Sequence, residues 1–273
     1  MSDLKVGDIV ARKSYGSDVY FKIADIAARG DGSKIYSLRG ILYRILADSH
    51  EDDLELQDSR QVRLHMRNGL YRSNVRSTPV RGILRFPVRL QRVRGKTGRI
   101  LHVDSSQEYL DMCTKYYREN GIKAYGYVMP ESDQPYRIRQ LLSSTGADIL
   151  VVTGHDGLKK DSAKLNSVDS YRNSRYFIQS VTEARKYEPD MDKLCVFAGA
   201  CQSYYEGIMG AGANFASSPG RILIHALDPA KVGDRVSLTD SRYFVTPSQL
   251  AEITQSGSKG IGGVKTRGHM KAY

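Results

Sequence analysis

Leu194-Cys195-Val196-Phe197-Ala198-Gly199-Ala200-Cys201-Gln202-Ser203 is an apolar strand that runs into a turn of small residues and ends on a cysteine. Upstream, a second apolar strand, Ile149-Leu150-Val151-Val152-Thr153, runs into Gly154-His155-Asp156-Gly157. Short runs that are apolar on both faces suit the interior of a parallel sheet. Each strand delivers one reactive side chain just past its C-terminal end, the edge at which open α/β sheets hold ligands. The same rhythm extends outward. Residues 99–103 and 124–129 read as further strands, and 221–226 as a fifth. Helical spacing at 107–118, 136–144, 169–186 and 204–211 falls between them. Strand and helix in alternation imply a mostly parallel sheet covered on both faces over 99–273. The glycine-rich stretch 257–263 reads as a loop.

Residues 1–59 have a different character. Short β candidates near 6–13, 19–24, 35–39 and 43–47 are separated by Gly/Ser/Asp turns. Their number and shortness predict a small β-barrel domain, and the opening Val6-Gly7-Asp8-Ile9-Val10 is typical of Tudor- or KOW-like barrels. Between the two parts, 60–98 reads as an Arg-rich flexible linker. From Arg60 to Arg99 there are eleven arginines, one lysine and no carboxylate, which accounts for the whole net charge of +11. Like charge without partners resists compaction, and Pro79 and Pro87 interrupt any helix. Three readings compete for this segment: a solvated spacer, an arm that neutralises phosphates or acidic protein, and a candidate self-processing region.

With 40% apolar and 26% charged residues, the composition is that of an ordinary globular protein. No apolar run is long enough for a membrane span, and the N-terminus lacks the apolar core of a secretory signal, so a cytoplasmic location is expected. Three cysteines are an odd number for a disulfide framework. No Cys/His spacing suits zinc, so neither a metal nor another cofactor is indicated.

The chemistry expected is nucleophilic. A cysteine peptidase needs a thiolate, a base and donors for the oxyanion. Cys201 follows Gly199 and Ala200, which let the backbone turn sharply, and a turn into a helix would aim N–H groups at the thiol. His155, set off by Gly154 and Gly157, is the candidate base. Asp156 either orients the imidazole or caps a turn. Cys195 and Cys113 read as inert packing. His225, at the end of the fifth strand, is a weaker rival to His155, and His102 is weaker still.

The His155…Ala200-Cys201 arrangement resembles the caspase–gingipain–legumain clan, in which His-Gly after one strand and Ala-Cys after the next form a dyad. That resemblance implies a caspase-like three-layer α/β/α domain. It also implies a second oxyanion N–H just after the histidine, where this chain has Asp156 instead of glycine. Whether Asp156 or Gly157 supplies it stays open. The clan commonly reads the residue before the cut through a charged pocket. An arginine there needs an acidic partner, for which Asp228 and Asp240 are candidates.

A closer resemblance covers nearly the whole chain. Val6–Tyr15, Val152-Thr153-Gly154-His155-Asp156, Phe197–Ser203, Ala211–Pro219 and Ile224–Pro229 resemble the YabG family of sporulation-specific proteases of endospore-forming Firmicutes. The resemblance implies a peptidase of the mother cell, associated with the forming spore coat, whose substrates are spore coat and cortex-associated proteins. With the Arg-rich segment it leads to an expectation of Arg-directed cleavage and self-cleavage between 60 and 99. The rival is a non-catalytic nucleic-acid or coat-scaffold binding protein built on the barrel and the basic arm. It accounts for the charge but not for Cys201 and His155 together.

Overall fold

A computed structural model describes residues 4–30, 32–58, 60–62, 64, 95–159 and 165–272. Most of the Arg-rich segment, 65–94, lies outside the described residues, and the readings placed on it are outside them too.

The first five strands are β1 (Ile9–Arg12), β2 (Tyr20–Ala28), β3 (Lys34–Gly40), β4 (Leu46–His50) and β5 (Leu54–Leu56). They form an antiparallel sheet in the order β4-β3-β2-β1-β5. Alternation drives it: Phe21 and Ile23 on β2, and Tyr36 and Leu38 on β3, are buried while their neighbours are partly or fully exposed. The strand expected at 43–47 begins instead at Leu46. Residues 41–45 leave the sheet as a strap. Gly40 starts it, where any Cβ would run into the Tyr43 carbonyl and the Ile45 side chain.

The larger sheet contains β7 (Ile100–Asp104), β8 (Ala124–Val128), β9 (Ile149–Val152), β10 (Cys195–Ala198), β11 (Phe215–Ser217) and β13 (Ile261–Gly263), in the order β13-β11-β10-β9-β7-β8. All neighbours are parallel except β13, which runs antiparallel to β11. Two small ribbons complete the strands. β6 (Gly95–Lys96) pairs with β15 (Lys271–Ala272), and β12 (Phe244–Val245) with β14 (Thr266–Arg267). The helices are α1 (Gln107–Glu119), α2 (Gln134–Thr145), α3 (Ser174–Tyr187), α4 (Tyr205–Gly210), α5 (Asp228–Leu238), α6 (Pro247–Ile253) and α7 (Gly257–Gly260). Every residue of β7, β9 and β10 is buried. Alternate side chains feed two cores. Leu101, Leu150 and Val196 meet Ile138, Leu142, Phe177 and Val181 of α2 and α3. Ile100, Val151 and Phe197 join Cys113 and Tyr117 of α1, Val232 and Val236 of α5, and Val10 and Phe21 of the N-terminal sheet. The N-terminal sheet is therefore packed into the same core that supports the larger one.

Two expectations are corrected. Residues 221–226 are not a fifth sheet strand; Phe215–Ser217 takes that place beside β10. The apolar run at 222–226 spends its hydrogen bonds on the strap instead: Arg44 N–H donates to the Ile224 carbonyl and Ala226 N–H to that of Leu42. The glycine-rich 257–263 is not a loop but a short helix followed by an edge strand. Among the described residues no helix is long and apolar enough to cross a membrane.

Candidate active site

The C-terminal ends of β7, β9 and β10 lie side by side and deliver Asp104-Ser105, Gly154-His155-Asp156 and Gly199-Ala200-Cys201 to one edge. After β10 the chain turns at Gly199, whose φ of +112° favours glycine and whose Cβ would strike the Ser217 hydroxyl. The turn is tied by Ala200 N–H to Ser203 Oγ (2.9 Å) and Gln202 N–H to Ser218 Oγ (3.0 Å). Cys201 is fully buried, and its Sγ accepts from Ile224 N–H at 3.0 Å. The helix expected over 204–211 is Tyr205–Gly210, and it begins after the turn, past Ser203 and Tyr204. Burial pushes the Cys201 thiol up to about 12, against the opposing pull of the Ile224 N–H and the Arg44 guanidinium.

His155 is 3% exposed and leans on the Tyr109 ring, with centroids 5.3 Å apart. Two residues that sequence reasoning missed hold it. Glu131 accepts from the His155 N–H (2.8 Å) and from the Ser105 hydroxyl (2.5 Å), and Ser105 Oγ lies 3.3 Å from His155 Nδ1. Because Ser105 gives its proton to a carboxylate, its oxygen must accept from Nδ1–H. Nδ1 therefore carries the hydrogen, and Nε2 keeps its lone pair. Burial lowers the His155 pKa to about 3, so the ring is neutral.

The Asp156 carboxylate does not orient the imidazole. It accepts from Gly157 N–H, Asn173 N–H, Ser174 Oγ and Ser203 Oγ, tying the His155 loop, the start of α3 and the Cys201 turn together. Burial pushes it up to about 6 despite those four donors. An Asp156→Ala variant would orphan all four, at about 1–3 kcal/mol for each unsatisfied buried group. The expected outcome is a loss of at least about 3 kcal/mol in urea unfolding. The main-chain N–H groups also separate: Gly157 N–H is spent on the Asp156 carboxylate, whereas Asp156 N–H points across the site.

What it points at is Arg44. The Arg44 carbonyl oxygen accepts from Cys201 N–H at 3.1 Å and Asp156 N–H at 3.3 Å. The fully buried Arg44 side chain bonds Asp104 at 2.5 Å and the Ala226 carbonyl at 3.0 Å, and its guanidinium lies 4.7 Å over the Tyr109 ring. Burial alone would raise the Asp104 carboxyl; the Arg44 charge and bonded neighbours overturn that and hold it well below the usual carboxylate range.

The other sequence candidates lie elsewhere. The Asp228 carboxylate accepts from Gln255 and Ser256 N–H, and Asp240 is paired with Arg242. His225 Nδ1 accepts from Leu227 N–H while its ring meets Tyr43 edge-on. The carboxylate that meets the Arg44 guanidinium is that of Asp104, on β7.

Three fully or nearly buried histidines, His102, His155 and His225, have pKa values lowered by burial. Unfolded, each takes a proton near pH ~6.5 that the folded form refuses, so their contribution is present above that pH and lost as pH falls. Asp156 and Asp234, raised by burial to about 6, act in the opposite sense between their unfolded and folded values. The histidines outnumber them, and the expected outcome is a Tm that falls from pH 7 to pH 5 in a melting series.

The comparisons agree with one another. The family described as YabG peptidase U57 matches residues 5–273. The chain is also 35% identical over 285 aligned residues to the sporulation-specific protease YabG of Bacillus subtilis (strain 168), covering 98% of this chain and 96% of that protein. The chain belongs to the YabG peptidase family.

Proposed function

We propose that this chain is a cysteine endopeptidase that cleaves after arginine, with Cys201 as nucleophile and His155 as base. One observation carries the reading: a main-chain carbonyl, that of Arg44, sits between the N–H groups of Cys201 and Asp156 while its own side chain meets a buried carboxylate. Two N–H donors on one carbonyl beside a thiol are what acyl transfer requires of an oxyanion site. A buried carboxylate under the adjoining side chain is what an arginine before the cut requires.

In this mechanism the substrate arginine takes the place of Arg44, with its guanidinium on Asp104. Thiol and imidazole both rest neutral, so proton transfer from Cys201 to His155 Nε2 accompanies attack on the carbonyl. The Cys201 and Asp156 N–H groups hold the oxyanion. The imidazolium then protonates the leaving amine, and water hydrolyses the thioester. Ser105 and Glu131 act as positioning residues that fix the His155 ring. The surrounding arrangement is caspase-like, with the five N-terminal strands as a small barrel docked beside it.

The relative's sporulation-specific name supports action during sporulation; the action proposed is in the mother cell, on spore coat and cortex-associated proteins. Arginines within 60–98 are further sites for self-cleavage. Incubation with a coat extract and N-terminal mapping of the fragments tests the reading. New termini preceded by arginine, absent with Cys201→Ala, are expected. Termini that follow no common residue, or that persist with Cys201→Ala, contradict it.

A further inference from the structure

Residues 41–45 join β3 to β4, antiparallel neighbours that a two-residue turn could connect. The extra chain is instead fixed at every step. Tyr109 Oη reaches the carbonyls of Gly40 (2.5 Å) and Tyr43 (2.9 Å). Leu42 and Arg44 exchange main-chain hydrogen bonds with 224–226 on one side, and Leu46 N–H donates to the Asp156 carbonyl on the other. The strap therefore crosses the candidate site held by main-chain bonds on both flanks, as a peptide substrate is held, with an arginine carbonyl on the N–H groups of Cys201 and Asp156.

We infer that Arg44–Ile45 is an internal cleavage site, cut by the same molecule that holds it, and that the uncut strap keeps the site closed. The inference rests on the peptidase reading above. Closure follows from tethering. Both ends of the strap are anchored in one sheet, so its effective concentration at the site is on the order of millimolar or higher, and a dilute protein substrate competes poorly. Cys201 is fully buried, and the strap's Arg44 carbonyl is bonded to its N–H.

The step balances without any co-reactant beyond water. Cys201 Sγ bonds to the Arg44 carbonyl carbon, and its proton passes through His155 to the Ile45 nitrogen as the Arg44–Ile45 bond breaks. Water then cleaves the thioester, leaving an Arg44 carboxylate and restoring the thiol. The new Ile45 amine lies one residue before β4 and the Arg44 carboxylate four residues after β3. The ladders of β3 with β2 and β4 hold both pieces in the folded protein, so the break appears only on denaturation. Ile45 also borders a cleft of about 740 Å³, shared with Leu46, Leu158, Gln202 and Leu223, into which the freed terminus can swing.

Full-length wild type, followed over time by denaturing mass spectrometry at two concentrations tenfold apart, tests this. Fragments 1–44 and 45–273 are expected, together heavier than the intact chain by one water, with the same half-time at both concentrations. Cys201→Ala should stay whole at Arg44 even when mixed with active wild type. If wild type cleaves an arginyl peptide while Arg44–Ile45 stays intact, the inference is overturned and the peptidase reading stands. If it cleaves neither, both fall. Cutting of Cys201→Ala at Arg44 by added wild type, at the wild-type rate, overturns cleavage within one molecule.

Discussion

Replacing Cys201 with alanine is expected to remove all peptide-bond cleavage and to leave the protein folded. Activity is lost because no other thiol stands at the paired N–H groups of Cys201 and Asp156. Cys113 sits beside Arg44 and the Ala226 carbonyl, and Cys195 lies inside β10. The folding cost is bounded. The change leaves Ile224 N–H without its sulfur acceptor, worth about 1–3 kcal/mol. Cys201→Ser keeps an acceptor there and should melt closer to wild type while remaining inactive, since a serine hydroxyl is a far weaker nucleophile beside a neutral imidazole. Urea unfolding and hydrolysis of an arginyl peptide, measured on both variants, separate the chemical role from the structural one.

Asp104→Asn is expected to carry the second largest effect, a fall of two to three orders of magnitude in kcat/KM on arginyl substrates. Asp104 is fully buried and meets the arginine head directly. Removing one partner of a buried pair leaves the other charge uncompensated, at about 3–5 kcal/mol, and each ~1.4 kcal/mol is tenfold. Asparagine keeps one acceptor oxygen; set toward Ser106 N–H, it turns its NH2 toward Thr153 Oγ1, which can accept, and toward the guanidinium, which cannot, so the loss falls mainly on the arginine. The same change weakens the hold on Arg44, and so should quicken alkylation of Cys201. Equal rates on arginyl peptides for variant and wild type would remove Asp104 from the pocket.

The placement of His155 and Cys201 was legible because it follows from the chain's most regular features. The apolar runs at 149–152 and 195–198 could be little other than interior strands, and the turns after them carried His155 and Cys201 to one edge. The same rule applied to the strand at 100–104 nominates Asp104 and Ser105, whose short polar side chains drew no notice beside a histidine and a cysteine. Asp228 and Asp240 were candidate acidic partners for an arginine, and their carboxylates are bonded to Gln255, Ser256 and Arg242. Arg44 was out of reach for another reason. Nothing local distinguishes it from the arginines downstream; its role depends on how the N-terminal sheet packs against the larger one, a contact between segments more than a hundred residues apart. The run at 221–226 was misread for the same cause, since its bonding partner is the strap and not the sheet.

The central claim is that Cys201 is the nucleophile at an arginine-reading site. Burial pushes Cys113, Cys195 and Cys201 alike up to about 12, so resting reactivity does not single one out. An arginyl chloromethyl ketone does, because its guanidinium must first find Asp104. Peptide mapping of the labelled protein should place a single adduct on Cys201, with hydrolytic activity lost in proportion to labelling. An adduct on Cys113 or Cys195, or activity that survives complete labelling, would contradict the account.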